Sequence, residues 1–394
     1  MSWPRTAAAA ALVCAAYGTP AAGLPQPGGA IEVRFCPPGH VRTYALDSPR
    51  RLQSLLLQNL AIISREKAPL TIASISIDLL RVGVVVDERR LAGTELQRLA
   101  DAGGALQKSG ALQLFAFQFC GTDMIPAGSR LSGPVLAPGE VLLVPQQAFA
   151  YGGDRDELRV HVQARSEGRY VEVSASLPIF SGFAKHEYRF PLRGTWYIGA
   201  GPSFHTAHRW AVMEEFAFDI LKVGDSGVTH RPPGTEFDEY FAYGAEVLAA
   251  ADGQVVAVAS DEPEDRTAMR QPAESETAYL ARLQQDQAAR IEKGVRAVIG
   301  NFVAIDHGDG EYSLSLHLKP GSVRVRAGDR VRSGQVIGLL GSSGNSTEPH
   351  LHFQVCDRPD PLTCAGIPVN FTGVTLPLAD VPRLMQSGDV VVAR

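Results

Sequence analysis

The sequence predicts a mainly β protein in two parts: an N-terminal β-sandwich-like region, for which an immunoglobulin-like form is one option, and a C-terminal antiparallel β domain with a helical insertion. Three observations predict it. Short β-branched runs recur between turn signals from Ile31 to Pro191. Beyond Gly194 the runs are again short, and glycine turns punctuate them. Only Gly93–Lys108 and Ala278–Lys293 read as sizeable helical stretches.

The chain opens with one early positive charge at Arg5, an apolar stretch from Ala7 to Tyr17 and small residues at Ala21-Ala22-Gly23, so residues 1–23 read as a secretory signal peptide. That apolar core is too short for a permanent span, and no later segment reaches roughly 18 unbroken apolar residues. The expectation is an exported, soluble, periplasmic chain with no transmembrane anchor. Val13 before Cys14 is a poor lipidation context.

Residues 24–193 form the β-rich accessory part. After the Pro/Gly-rich lead-in Leu24–Gly29 come Leu70–Ile77, Val82–Val86, Glu140–Val144, Leu158–Val162 and Tyr170–Ala175, which read as strands. His40, His161 and His186 are isolated, so this part carries no catalytic constellation and reads as an interaction or positioning module. A net charge of −5 and a pI near 6.1 leave no cationic footprint for nucleic acid. Four cysteines follow the signal. An even number in an exported chain suggests two disulfides, the short Cys356–Cys364 loop and, by elimination, Cys36–Cys120.

Residues 194–394 form the second part. Its short strands are read within Tyr243–Val256, Gly300–Gly308, Tyr312–Leu318 and Val325–Gly338, with a charged insertion over 260–296. The insertion is acidic first and then rich in alanine, glutamine and arginine, a composition that suits either a solvated helix or a lid. Next comes Pro349-His350-Leu351-His352-Phe353. On a strand, residues two apart share a face, so both imidazoles would stand over one site while Leu351 and Phe353 enter the core. One imidazole can then bind a metal while the other handles a proton.

The order of these blocks, roughly from Trp196 to Phe371, resembles the lysostaphin/LytM-type zinc metallopeptidases that cut peptidoglycan peptides. The resemblance implies that His352 binds Zn2+ and that His350 and His317 are the catalytic pair. It also implies a further ligand pair, His-x-x-x-Asp, on one strand. Here Asp219 matches the aspartate, but Glu215 stands at the histidine position.

That departure leaves three readings. Glu215 can ligate through its carboxylate, and Glu215→His would then restore the family pattern. Alternatively a histidine folds in from nearby, with His208 better placed than His205 or His230. Otherwise metal binding is lost, and the chain is a non-catalytic peptidoglycan-binding protein that regulates a cell-wall amidase. The enzyme reading makes it an exported zinc metalloendopeptidase that hydrolyses peptide bonds in peptidoglycan.

Overall fold

The computed structural model describes residues 29–47, 51–269, 271, 274–380 and 383–394, so the expected signal peptide lies outside the described residues. The N-terminal part runs β1 (Ile31–Cys36), β2 (Val41–Asp47), β3 (Leu52–Ser64), β4 (Leu70–Arg81), β5 (Val84–Ala92), α1 (Thr94–Lys108), α2 (Ala111–Leu114), β6 (Val135–Leu136), β7 (Val141–Gly152), β8 (Glu157–Ser166) and β9 (Arg169–Phe180). Its strands form one sheet in the order β1-β3-β2-β9-β8-β4-β5, with β7 beside β3 and β6 beside β4.

The two halves of that sheet join at the short parallel contact of β2 with β9, where Val41 faces Ile179. Leu55 and Leu57 of β3, Ile75 and Ile77 of β4, and Val160 and Val162 of β8 share one core. The sheet therefore folds over on itself in the manner of a sandwich closed along one edge. Strand β3 is buried on both faces, because Leu60 and Ile62 enter that core while Ala61 and Ile63 pack in a second cluster with Leu143 and Val212. Helix α1 buries Leu96, Ala100 and Gly103, the three- and four-residue spacing of one helical face.

The C-terminal part adds β10 (Gly194–Ala200), β11 (Phe218–Leu221), β12 (Glu246–Leu248), β13 (Gly253–Ala259), α3 (Glu276–Lys293), α4 (Val295–Ile299), β14 (Asn301–Asp306), β15 (Tyr312–Leu318), β16 (Arg330–Val331), β17 (Val336–Leu339), β18 (Leu351–Cys356), β19 (Val374–Thr375) and β20 (Val390–Ala393). Its nine-stranded sheet runs β16-β13-β14-β15-β18-β11-β10-β20-β19. The fold is thus mostly β throughout.

Both cysteine pairs are bridged, Cys36 with Cys120 and Cys356 with Cys364. In the insertion, Ser275 caps α3 by accepting from the Ala278 amide at 3.2 Å. Much of the insertion's charge is paired within it: Arg290 holds Asp265 at 3.0 Å and Arg296 holds Asp261 at 2.6 Å. Glu264 instead reaches into the domain, accepting from the Ser342 amide at 2.8 Å and the Tyr243 hydroxyl at 2.7 Å. Among the described residues no helix is long and apolar enough to cross a membrane.

Candidate metal centre

Strands β15, β18 and β11 lie side by side, and their register builds the centre. Across β11 and β18, Phe218 faces Phe353, Asp219 faces His352, and Ile220 faces Leu351. Phe218, Ile220, Leu351 and Phe353 all enter the main core. Alternation along each strand then turns Asp219 and His352 together onto the opposite face. Burial of each large apolar side chain is worth about 1.5–3 kcal/mol, and a one-residue slip would drive Asp219 and His352 into the core, so the apolar face enforces the polar pairing.

His208 completes a group of three. It opens a single 3₁₀ turn, His208–Trp210, which a Trp210 indole N–H to Phe204 carbonyl bond of 2.7 Å helps to close. Nε2 of His208 lies 3.2 Å from Asp219 Oδ2, and the His208 and His352 rings stand 5.0 Å apart. His208, Asp219 and His352 can each offer one ligand atom, all within 4.8 Å of one another.

The donor chemistry fits a cation. The Gln354 carboxamide oxygen accepts from His352 Nε2 at 2.7 Å, while its nitrogen donates to Cys356 Sγ at 3.0 Å. With its proton on Nε2, His352 turns the Nδ1 lone pair toward Asp219 Oδ1, 3.0 Å away. Two acceptors facing each other at that distance need a proton or a metal ion between them. Two imidazoles and a carboxylate are a donor set that zinc accepts, with room for a further position. Burial alone would raise the Asp219 pKa, but the neighbouring His208 and His350 imidazoles hold it well below the ordinary carboxylate value. Burial opposes charge on His208 too, yet the Asp219 carboxylate and a hydrogen bond to it lift its pKa to about 9.

The other two histidines border this group. The rings of His317 and His350 are 4.9 Å apart, and His317 lies 5.9 Å from His352. His317 donates from Nδ1 to the Ser343 carbonyl at 2.8 Å, and His350 donates from Nδ1 to the Glu348 carbonyl at 2.7 Å. Both bonds fix the tautomer and leave Nε2 as the unprotonated, basic atom of each neutral ring. Nε2 of His350 lies 3.4 Å from Asp219 Oδ1. Burial and the neighbouring His350 and His352 imidazoles push His317 well below the ordinary histidine value. On His350 burial acts in the same direction, but the Asp219 carboxylate outweighs it and raises the pKa.

His317 reaches the site by breaking the strand rule. Leu316 pairs with His352 and so shares its face, which by alternation would send His317 to the other side. Instead His317 takes a left-handed φ of 62°, and Leu318 packs into the opposite core. Such a backbone costs on the order of 1–3 kcal/mol and persists where neighbours over-determine it. Here they do: the Ser343 hydroxyl donates to the Leu318 carbonyl at 2.7 Å, and Asn301 Nδ2 donates to the same carbonyl at 3.1 Å.

Glu215 is placed differently from the strand-face expectation. Strand β11 begins only at Phe218, and Ala211–Ala217 is a run of turns, closed by Glu214 amide to Ala211 carbonyl and Ala217 amide to Glu214 carbonyl bonds. Alternation does not extend through a turn, so Glu215 does not share a face with Asp219. Its carboxylate instead pairs with the fully buried Arg209 guanidinium at 2.5 Å. His205 is exposed, and His230 lies against Tyr240 with its Nδ1 3.0 Å from the Arg231 carbonyl. Neither joins the His208–Asp219–His352 group, the one such group among the described residues. Gln354 went unnoticed in the sequence, although it follows His352 by two on the same strand face.

Comparison with known proteins adds the family. Residues 287–364 match the model of Peptidase family M23, a span that holds His317, His350 and His352 but begins after His208 and Asp219. Over 101 residues the chain is 39% identical to the DD-carboxypeptidase/endopeptidase Mpg of Neisseria meningitidis, covering 26% of this chain and 20% of that protein. Over 85 residues it is 39% identical to the peptidoglycan DD-endopeptidase ShyA of Vibrio cholerae, covering 21% and 18%. The matches thus span about a fifth of the length of these relatives. The catalytic domain of lysostaphin from Staphylococcus simulans overlays at a TM-score of 0.24 with 20% identity, over 43% of this chain and 86% of that domain, an overlay too loose to bear on the site. The C-terminal region of this chain carries a peptidase M23 domain of the LytM type.

Proposed function

We propose that the chain is an exported zinc-dependent metalloendopeptidase that hydrolyses peptide bonds in cell-wall peptidoglycan, with residues 194–394 as the peptidase part and 24–193 as an accessory part. The observation that carries this reading is the convergence of His208, Asp219 and His352 beside two further imidazoles, His317 and His350, each tied to a backbone carbonyl through Nδ1. His208, Asp219 and His352 would hold the ion. Bound there, zinc would supply Lewis acidity, which polarises an amide carbonyl and makes water acidic near neutral pH.

The protein's own groups then divide the proton work. His317 is kept neutral, so its Nε2 can accept a proton from the attacking water. Its Nδ1 bond to Ser343 holds the ring in that tautomer throughout. His350, whose Nδ1 is tied to Glu348, presents a more basic Nε2 that can carry a proton to the leaving amine. Asp219 faces His208, His350 and His352, and its carboxylate favours the charged form of His208 and His350.

The test uses the full chain loaded with zinc. One equivalent of zinc retained after dialysis, together with release of cleaved cross-links from purified peptidoglycan, is the expected result. Retained peptidoglycan binding with well under one equivalent of zinc and no cleavage would instead favour a non-catalytic regulator acting through a cell-wall amidase.

A further inference from the structure

Arg209 follows the candidate ligand His208 directly, and no part of its side chain reaches solvent. Its guanidinium pairs with Glu215 at 2.5 Å and lies 4.9 Å from the centre of the Phe216 ring and 5.3 Å from that of Phe204. The N-terminal sheet closes over it. Nη2 of Arg209 lies 3.4 Å from both the carbonyl and the hydroxyl of Ser54 on β3. Tyr44 of β2 stacks on Phe216 at 6.0 Å and donates to the Met385 carbonyl at 2.5 Å.

The same sheet also grips the backbone of the His208 turn. Gln58 of β3 donates to the Arg209 carbonyl at 3.0 Å, and Gln146 of β7 donates to the Trp210 carbonyl at 3.1 Å. A helical turn of three residues has no continuing helix to satisfy its carbonyls or set its direction. Side chains from another part of the molecule do both. A buried ion pair is a poor source of net stability, because desolvation offsets much of the attraction, but it is demanding about geometry.

We infer that Arg209, Glu215, Gln58 and Gln146 are positioning residues for the metal centre, and that the N-terminal sheet is a structural part of that centre because it aims His208. The inference rests on His208 being a metal ligand. Glu215 then acts on the ion through Arg209 and the turn rather than by touching it. Groups that orient a ligand in this way typically govern roughly 10–100-fold in metal affinity.

The experiment measures the zinc dissociation constant of the full chain by chelator competition, alongside metal-free thermal unfolding. The variants are R209M/E215L, which replaces the pair by apolar groups of similar volume, Gln146→Gly and His208→Ala. Gln146 is exposed and has a φ of 47°, so glycine there removes the hydrogen bond in a conformation that glycine tolerates. The expected result is cooperative unfolding in all variants, zinc affinity lowered roughly 10–100-fold in R209M/E215L, and a loss of at least about threefold in Gln146→Gly. If R209M/E215L does not fold, Gln146→Gly decides alone. Unchanged zinc affinity in the folded positioning variants, while His208→Ala is weakened, overturns the inference and leaves His208 as a ligand. Unchanged affinity in His208→Ala overturns the ligand assignment itself.

Discussion

Asp219 and His352 stand directly opposite each other on adjacent antiparallel strands, with carboxylate Oδ1 and imidazole Nδ1 3.0 Å apart. Gln354 keeps the ring proton on Nε2, so the contact brings two lone pairs together. A carboxylate in that position serves three imidazoles at once, since His208 and His350 also face it. The strand register therefore determines the electrostatics of the whole centre.

Asp219→Asn keeps the size of the side chain and removes its charge. Zinc affinity should fall by roughly 100-fold or more, since a ligand and the anchor for two imidazoles are both altered. In the metal-free protein the His350 pKa should drop, because the Asp219 carboxylate is what raises it against burial. Titration of the imidazole resonances by NMR checks the second point. An unmoved His350 would show that the carboxylate is not its controlling neighbour.

Replacement of the histidines should separate metal holding from proton transfer. His317→Ala should lower kcat/KM by about 10²–10⁴ while one equivalent of zinc stays bound. His352→Ala should release the metal. Full cleavage by His317→Ala would remove it from the catalytic pair.

The pH dependence of metal-free stability follows from His208. Its folded pKa, about 9, lies above the ordinary value of 6.5. A raised pKa means that the folded state holds the proton more tightly than the unfolded one, so the stabilisation is complete below pH 6.5 and is lost as pH rises through about 9. The shift corresponds to about 3 kcal/mol. Urea denaturation of the metal-free chain and of His208→Ala should thus give stability curves that differ most at pH 6 and converge by pH 10. A constant difference across that window would show that the imidazole does not titrate there. Zinc competes with the same proton, so its affinity should rise over the same range.

How much of this was legible in the sequence depended on where simple periodicity holds. His350 and His352 could be read from their spacing, and Asp219 from its place in the family pattern, because both lie at or within regular strands. The helix of the insertion was visible to within two residues, since alanine, glutamine and arginine dominate it. Strand β3 was harder to see: both its faces are buried, so Leu55–Leu57 and Leu60–Ile63 run on without the polar alternation that marks a half-exposed strand. His317 was identified through the family block, while strict alternation would have turned it away from His352. No glycine or asparagine announces its left-handed φ, which tertiary contacts through Ser343 and Asn301 impose. Glu215 misled for the converse reason. Alternation was carried four residues back from Asp219, across a turn whose geometry comes from Arg209 and from a distant sheet.

That misreading leads to a discriminating variant. Were Glu215 on the Asp219 strand face, Glu215→His would add an imidazole to the metal and strengthen zinc binding. The structure places the carboxylate on Arg209 instead, so the substitution leaves a fully buried guanidinium without its partner. Removing one member of a buried pair costs about 3–5 kcal/mol, a much larger effect than a surface change. Glu215→His should therefore be less stable in urea, bind zinc more weakly than the parent, and cleave peptidoglycan more slowly. If it binds zinc more tightly and cleaves faster, the turn has opened to bring residue 215 to the metal, and the Arg209 pairing does not control the centre.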